Sequence, residues 1–365
     1  MSAVHWAWGM IRGRGNAAGP QSSEQDLDMP TSPTLCVVIA ARNAQATIAR
    51  AIESALREER VSEVVVVDDG SDDATAQASR AADDGSGRLD IVRLDENRGP
   101  AHARNLAIAH SRAPLLAILD ADDFFLRGRF ATMLDDEDWD FVADNIVFID
   151  ERSVSLSEPS VPRFDPSPWF LDVAGFIDGN ISRRGASRGE IGFLKPVMRR
   201  SFLDHHRLRY DESLRLGEDY DLYARALIRG ARYKVVHGCG YGAVVRAISL
   251  SGRHRTEDLK RLFEADHAML SSEELSTEAR AALHRHARHL RGRHELRHFL
   301  DHKKRSGLLP AGLSALARRP ASVPAIVGGI AADKLETFRS RRLSIAEPEA
   351  MPPRYLLPAR VGARK

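Results

Sequence analysis

The sequence predicts an open α/β sheet with a polar cleft along one edge, followed by a basic helical extension. Three observations carry this prediction. Residues 34–150 alternate short β-branched apolar runs with stretches of helical spacing, the pattern of a parallel sheet covered on both faces. A polar cluster follows each apolar run, where the loops of such a sheet gather. The net charge of +2 over 365 residues is a sum of unlike parts. Residues 68–150 hold 19 Asp and Glu against 8 Lys and Arg, a net of −11, whereas residues 280–365 hold 6 against 19, a net of +13. The acidic part calls for cations and the basic part for anions.

The first apolar run, Leu35-Cys36-Val37-Val38-Ile39-Ala40, has strand length and precedes helical spacing over residues 47–56. Val64-Val65-Val66-Val67 is the second, followed by a helix expected over 72–82 with Ser71 as its N-cap. The third run spans 89–94 and precedes a helix over 100–110, and the fourth spans 115–119. From 150 to 192 the pattern turns irregular, with Pro159, Pro162, Pro166 and Pro168, and is longer than an ordinary connection. A short apolar run at 196–198, a helix opening at Gly217-Glu218-Asp219, a strand at 233–237 and a basic helical stretch over 256–305 follow. The expected organisation is a disordered leader over 1–33, a sheet domain over 34–252, a basic helical extension over 253–343 and a disordered tail over 344–365.

Composition narrows the class. A hydrophobic fraction of 43% with 28% charge is that of a globular protein. Cys36 and Cys239 are too few for a disulfide framework or a tetrahedral thiolate site, so a reducing compartment is the default. No run reaches the roughly 18 apolar residues of a spanning helix. Trp6 and Trp8 precede Arg12 and Arg14, the reverse of signal-peptide order. The expected location is cytoplasmic.

The chemistry-bearing residues lie after the strands. Asp120 and Asp122 are two apart at the end of the fourth run with no basic residue beside them in sequence, so they call for a proton or a divalent cation. A hard cation bound by one or two carboxylates and phosphate oxygens fits a metal–diphosphate complex; a solvated acidic loop is the plainer reading. Asp68-Asp69-Gly70-Ser71 ends the second run, where an Asp suits a nucleobase or ribose and Gly70 a tight turn, unless Asp69 or Ser71 only caps a helix. An Asp pair in this place also serves phospho-accepting receiver domains, against which the second Asp-x-Asp argues. Glu218-Asp219 opens a helix, where the helix dipole favours a carboxylate usable as a base.

The segments Val37-Val38-Ile39-Ala40-Ala41-Arg42-Asn43, Val66-Val67-Asp68-Asp69-Gly70-Ser71, Asn97-Arg98-Gly99-Pro100, Leu119-Asp120-Ala121-Asp122-Asp123 and Gly217-Glu218-Asp219-Tyr220 resemble, in order and spacing, the family-2 glycosyltransferases. The resemblance covers residues 34–251. It implies a GT-A fold, an open mixed sheet with helices on both faces, and an inverting displacement on a nucleotide sugar, usually a UDP-sugar. It implies that Asp219 is the catalytic base, that Asp122 binds a divalent cation, Mg²⁺ or Mn²⁺, and that Asp69 and Asp120 bind the uracil and ribose. Ala40 and Arg42 would border the base, with Arg42 standing where many members have Tyr, and Arg104 would lie near the nucleotide. His254 is a candidate third metal ligand.

A finer resemblance, to bacterial exopolysaccharide glucosyltransferases of the succinoglycan type, rests on residues 189–196 with Arg199-Arg200 and on Leu250-Ser251. It implies glucose as the sugar, a lipid-linked oligosaccharide as acceptor and Lys195 near that acceptor. In the basic extension His294, His298 and His302 recur at helical spacing, a metal-capable pattern explained more simply as a solvated basic face. Apolar pieces beside basic clusters over 308–332 fit an interfacial helix on the inner face of the cytoplasmic membrane. No aromatic interleaving supports nucleic acid as a partner, and the sequence leaves the oligomeric state open. The alternative function is a catalytically silent nucleotide-binding protein of a polysaccharide assembly.

Overall fold

The four apolar runs form a parallel half-sheet, with the third run, 89–94, as its partly exposed edge. The computed structural model describes residues 34–135, 137–154, 168–182, 190–246, 255–272, 275–318, 320, 323–324, 326–331 and 352–357. Within them β1 (Leu35–Ala41) pairs in parallel with β2 (Val61–Asp69) and β4 (Leu115–Ile118), and β2 with β3 (Leu89–Leu94). Consecutive residues of β1 and β4 are all but completely buried, so both faces of these strands are covered. The crossovers are α1 (Ile48–Leu56), α2 (Thr75–Ala81) and α3 (Pro100–His110), the last starting on Pro100 as the first helical residue.

The other half of the sheet is mixed. After β5 (Phe124–Phe125) and α4 (Arg129–Met133) comes β6 (Phe141–Asp150). The chain then makes β7 (Trp169–Leu171), α5 (Val173–Asp178), β8 (Val197–Arg199), α6 (Arg200–His205), α7 (Glu218–Ile228) and β9 (Tyr233–Val245). The order is β3-β2-β1-β4-β8-β6-β9-β5, with β8 antiparallel to both β4 and β6 and β9 parallel to β6. β7 adds antiparallel to β9.

The basic extension is α8 (Thr256–Met269), α9 (Thr277–Ser306) and α10 (Leu308–Arg318). Ser276 caps α9, its hydroxyl accepting from Ala279 N–H. The described residues form one compact unit, and Leu259, Leu262, Leu283 and Leu290 of the extension share the main core with the strands. α5 packs on α9 and α7 on α8.

Four local expectations are corrected. Ser71 does not cap α2, which starts at Thr75; its hydroxyl instead accepts from Asn43 N–H, while Asp73 accepts from Thr75 N–H. The irregular stretch contains β7 and α5, whose N-cap is Asp172. The strand expected at 233–237 runs on to Val245 because β5 and β6 continue to pair with it. Part of the expected disordered tail is ordered: β10 (Arg354–Tyr355) pairs antiparallel with β6, Leu356 is buried, and the Asn145 side chain exchanges two hydrogen bonds with the Leu357 backbone.

Candidate active site

In the order β3-β2-β1-β4 the chain departs from β1 in both directions, and the crevice at the carboxyl ends of β1 and β4 is the place where such sheets bind ligands. Two loops floor it. Asn43, in the left-handed region at φ 49°, accepts from Asp72 N–H at 2.9 Å, and Ala44 N–H donates to the Thr75 hydroxyl at 2.8 Å. Asp69 accepts from Arg98 N–H at 2.7 Å and from Gly99 N–H at 2.8 Å, one on each oxygen, and so clamps the start of α3. Gly70 has φ +62°, and a Cβ there would stand 2.6 Å from the Glu96 carbonyl carbon; only glycine lets the two loops touch. Ala40 is half-buried at the end of β1, and Arg42 is exposed with a guanidinium nitrogen 3.9 Å from Asp72.

The turn after β4 carries three carboxylates and is pinned by β9. The Tyr241 hydroxyl accepts from Asp120 N–H at 3.1 Å and donates to Asp123 at 2.8 Å, and Val244 N–H donates to the other Asp123 oxygen. Burial, with the Asp122 and Asp120 charges adding to it, pushes the Asp123 carboxyl well above the usual range. Asp122 is half-exposed; burial first and the Asp120 charge second push its carboxyl up, opposed by Arg246 at 3.3 Å.

Asp120 turns the other way, into a buried network. Arg104 of α3 donates to Asp120 at 2.8 Å, to Glu218 at 2.8 Å and to Asp219 at 3.2 Å. The Lys195 ammonium lies 2.9 Å from Asp120 and 2.8 Å from Asp219. Burial alone would raise the Asp120 carboxyl, but Lys195 and Arg104 hold it well below the usual range. The same carboxylates hold the Lys195 and Arg104 protons firmly against a burial that favours release. The expectation that Asp120 and Asp122 lack basic neighbours is therefore overturned, because the neighbours arrive from α3, from the segment before β8 and from the end of β9. Asp219 and Glu218 form the first turn of α7, whose N-cap Gly217 has φ +73°.

A cavity of about 630 Å³ opens on this network. Arg104, Asp120, Lys195 and Asp219 line one end, and Leu262, His286, Leu290 and Arg293 of the extension line the other. The far wall is tied to α7 by a buried relay: the Tyr220 hydroxyl donates to Asp266 at 2.9 Å, and the His286 ring nitrogen Nδ1 is 2.7 Å from the other Asp266 oxygen.

The structure thus joins Arg104, Asp120 and Asp219 directly, sets Asp122 on the adjacent turn, and leaves Ala40, Arg42 and Asp69 on the β1 and β2 loops. His254 lies outside the described residues. Sequence reasoning set Lys195 beside the acceptor and missed that it bridges two carboxylates. It also missed Tyr241, and the fully buried Arg129–Asp144 pair, in which Arg129 also donates to the Lys195 carbonyl at 2.6 Å. A Lys immediately before a buried apolar run was the one available signal.

Among the described residues no three His, Cys, Asp or Glu side chains converge on a metal position. His294 is buried, packed edge-on against Phe263, and Arg318 takes up His298. At this turn Asp122 alone, half-exposed and paired with Arg246, offers a carboxylate that fits a hard divalent cation bound mainly by phosphate oxygens. Cys36 and Cys239 are free, and burial pushes the Cys36 thiol up to about 12.

A mixed sheet with a parallel nucleotide-type half and a carboxylate cluster at its switch point defines the GT-A class of glycosyltransferases. The fold is matched by S. aureus TarS, residues 1–349, in complex with UDP-GlcNAc, at TM-score 0.55 and 18% identity over 80% of this chain and 81% of that one. It is also matched by the mannosyltransferase PcManGT from Pyrobaculum calidifontis in complex with GDP-Man and Mn²⁺, at TM-score 0.51 and 19% identity over 86% and 83%. Residues 36–204 match glycosyl transferase family 2. The succinoglycan biosynthesis protein ExoU of Rhizobium meliloti (strain 1021) is 60% identical over 309 residues, 84% of this chain and 90% of that protein. The chain belongs to glycosyl transferase family 2 and is a glycosyltransferase.

Proposed function

We propose that the protein moves a sugar, glucose by the finer resemblance, from a UDP-sugar to a lipid-linked oligosaccharide in exopolysaccharide biosynthesis, with inversion at the anomeric carbon. The observation that best supports this reading is the Asp219 carboxylate at the N-terminus of α7, on the wall of the cavity and joined to Asp120 through Arg104 and Lys195. The likeness to ExoU supports the pathway, and the UDP-GlcNAc complex of TarS supports a UDP-sugar as donor.

In this reading Ala40, Arg42 and Asp69 border the nucleoside, and Asp120 and Arg104 orient the ribose and diphosphate side. Asp122 would hold a divalent cation, which when bound would supply positive charge beside the leaving diphosphate. Asp219 takes the proton of the attacking acceptor hydroxyl. That oxygen bonds to the anomeric carbon, the bond from that carbon to the UDP oxygen breaks, and UDP departs with its electron pair. Both Asp219 oxygens already accept from cationic donors, so the proton goes to a remaining lone pair. An arriving diphosphate offers Arg104 and Lys195 a competing anion and loosens their hold on Asp219. The far end of the cavity, toward His286 and Arg293, receives the acceptor. An α-linked donor gives a β-linked product.

UDP release from several nucleotide sugars, with and without Mn²⁺ and lipid-linked acceptor, tests the reading. Asp219→Asn is expected to keep UDP-sugar and Mn²⁺ binding and to lose transfer by about 10²–10⁴-fold, the usual contribution of a positioned base. Full transfer in that variant removes Asp219 as the base, and UDP release that ignores Mn²⁺ removes the cation from the reading.

A further inference from the structure

The helix α10 is packed the wrong way round for a water-facing surface. It lies on α9 through its small residues: Ala311 is 1% exposed and Ala315 partly buried, both against Phe299, Leu296 and Leu300. Its leucines point outward. Leu309 is 81% exposed, Leu313 69% and Leu316 52%. The spacing of these three, four residues and then three, sets them in one stripe along the helix. Leu308 and Val327 are exposed as well, and these five with Phe170 are all the exposed large hydrophobic side chains among the described residues. A cluster of this kind marks an interaction surface, whereas single exposed leucines do not.

Charge identifies the partner. Lys303, Lys304 and Arg305 end α9 immediately before the patch, and Arg318 ends α10. Residues 302–332 contain no Asp or Glu at all. A leucine stripe in a segment whose charged residues are all cations suits a surface that is apolar inside and anionic at its edge, and it repels a second copy of itself. With 11 residues α10 is about 16 Å long, too short to cross a hydrocarbon core of about 30 Å, and no helix among the described residues is long and apolar enough to span one.

We propose that the Leu309, Leu313 and Leu316 face of α10 docks on an anionic lipid bilayer, with the helix in the interface plane and the Lys303–Arg305 cluster at the headgroups. α9 carries both this face and the His286 and Leu290 wall of the cavity, so docking holds the acceptor end of the cavity in a fixed relation to the bilayer. The proposal goes beyond the transferase reading and stands or falls separately from it.

Sedimentation of the full chain with phosphatidylcholine vesicles, and with vesicles that also contain phosphatidylglycerol, tests it. The parent protein is expected to bind the anionic vesicles and to release them as salt rises, and Leu309→Asp/Leu313→Asp to weaken binding by about tenfold or more. Both positions are exposed and outside the cavity, so vesicle-free UDP release by the double variant is expected to equal the parent's. Equal vesicle binding by parent and variant overturns the proposal. So does a dimer in light scattering that the double variant converts to a monomer while neither binds vesicles, for then the face joins two copies.

Discussion

Lys195 donates to Asp219 at 2.8 Å while the same ammonium stands 2.9 Å from Asp120, so one cation joins a strand-end carboxylate to a helix-end carboxylate. Its side chain is 6% exposed, and among the described residues the two carboxylates share one other cation, Arg104. Lys195→Met keeps the volume and removes the charge. Breaking a buried pair by taking one partner leaves uncompensated charge, at about 3–5 kcal/mol. Denaturant unfolding is expected to register a loss of that order, and binding of the UDP-sugar to weaken. Lys195→Arg restores a cation and is expected to recover part of the stability. A midpoint unmoved by Lys195→Met would mean that Arg104 alone suffices.

The parallel half of the fold was legible because burial on both faces leaves continuous apolar runs, and β1 to β4 lie within a few residues of expectation. The placement of Asp120 and Asp122 just after a strand, and of Asp219 in the first turn of a helix, was legible in the same way. What pairs with them was not. Arg104, expected beside the nucleotide, also ties α3 to α7, and Lys195 enters from a segment with no periodicity. Such pairings are made by tertiary packing and leave no local pattern. β10 was hidden for a related reason: two residues of strand gain their pairing from β6 alone, with Asn145 and Leu356 completing the seat.

His289 gives the extension a pH dependence. Burial first, then the charges of Arg293 and His286, lower its pKa from 6.5 to about 4, and its buried Nε2 has no hydrogen-bond partner. The folded state therefore binds fewer protons at this ring than the unfolded chain. The contribution to stability is complete above about pH 6.5 and is lost as pH falls toward 4. After allowance for solvent screening it amounts to about 2 kcal/mol. His289→Gln does not titrate in either state, so its stability is expected to fall less steeply than the parent's between pH 6.5 and 4. Urea unfolding at half-unit pH steps makes the comparison. Parallel curves for the two proteins would assign the slope to His294 and His298, whose pKa values burial also lowers.

Gly217 sets where Asp219 stands. It caps α7 at φ +73°, a conformation that costs an L side chain about 1–2 kcal/mol, and a Cβ there would lie 2.8 Å from both Leu262 methyls. The next two residues are Glu218 and Asp219, so relief of that contact moves the first turn of α7 away from α8 and shifts Asp219 relative to Arg104 and Lys195. A misplacement of about 1 Å is enough to cost about a hundredfold in rate. Gly217→Ala is expected to lose about 2 kcal/mol of stability and a far larger share of its transfer rate, with UDP-sugar binding less affected. Gly217→Ala/Leu262→Ala separates the two causes, since it opens the space but keeps the strained φ. Recovery of rate without recovery of stability in the double variant identifies the Leu262 contact as what displaces Asp219. A single variant with the parent's rate would mean that α7 absorbs the new methyl without moving its carboxylates.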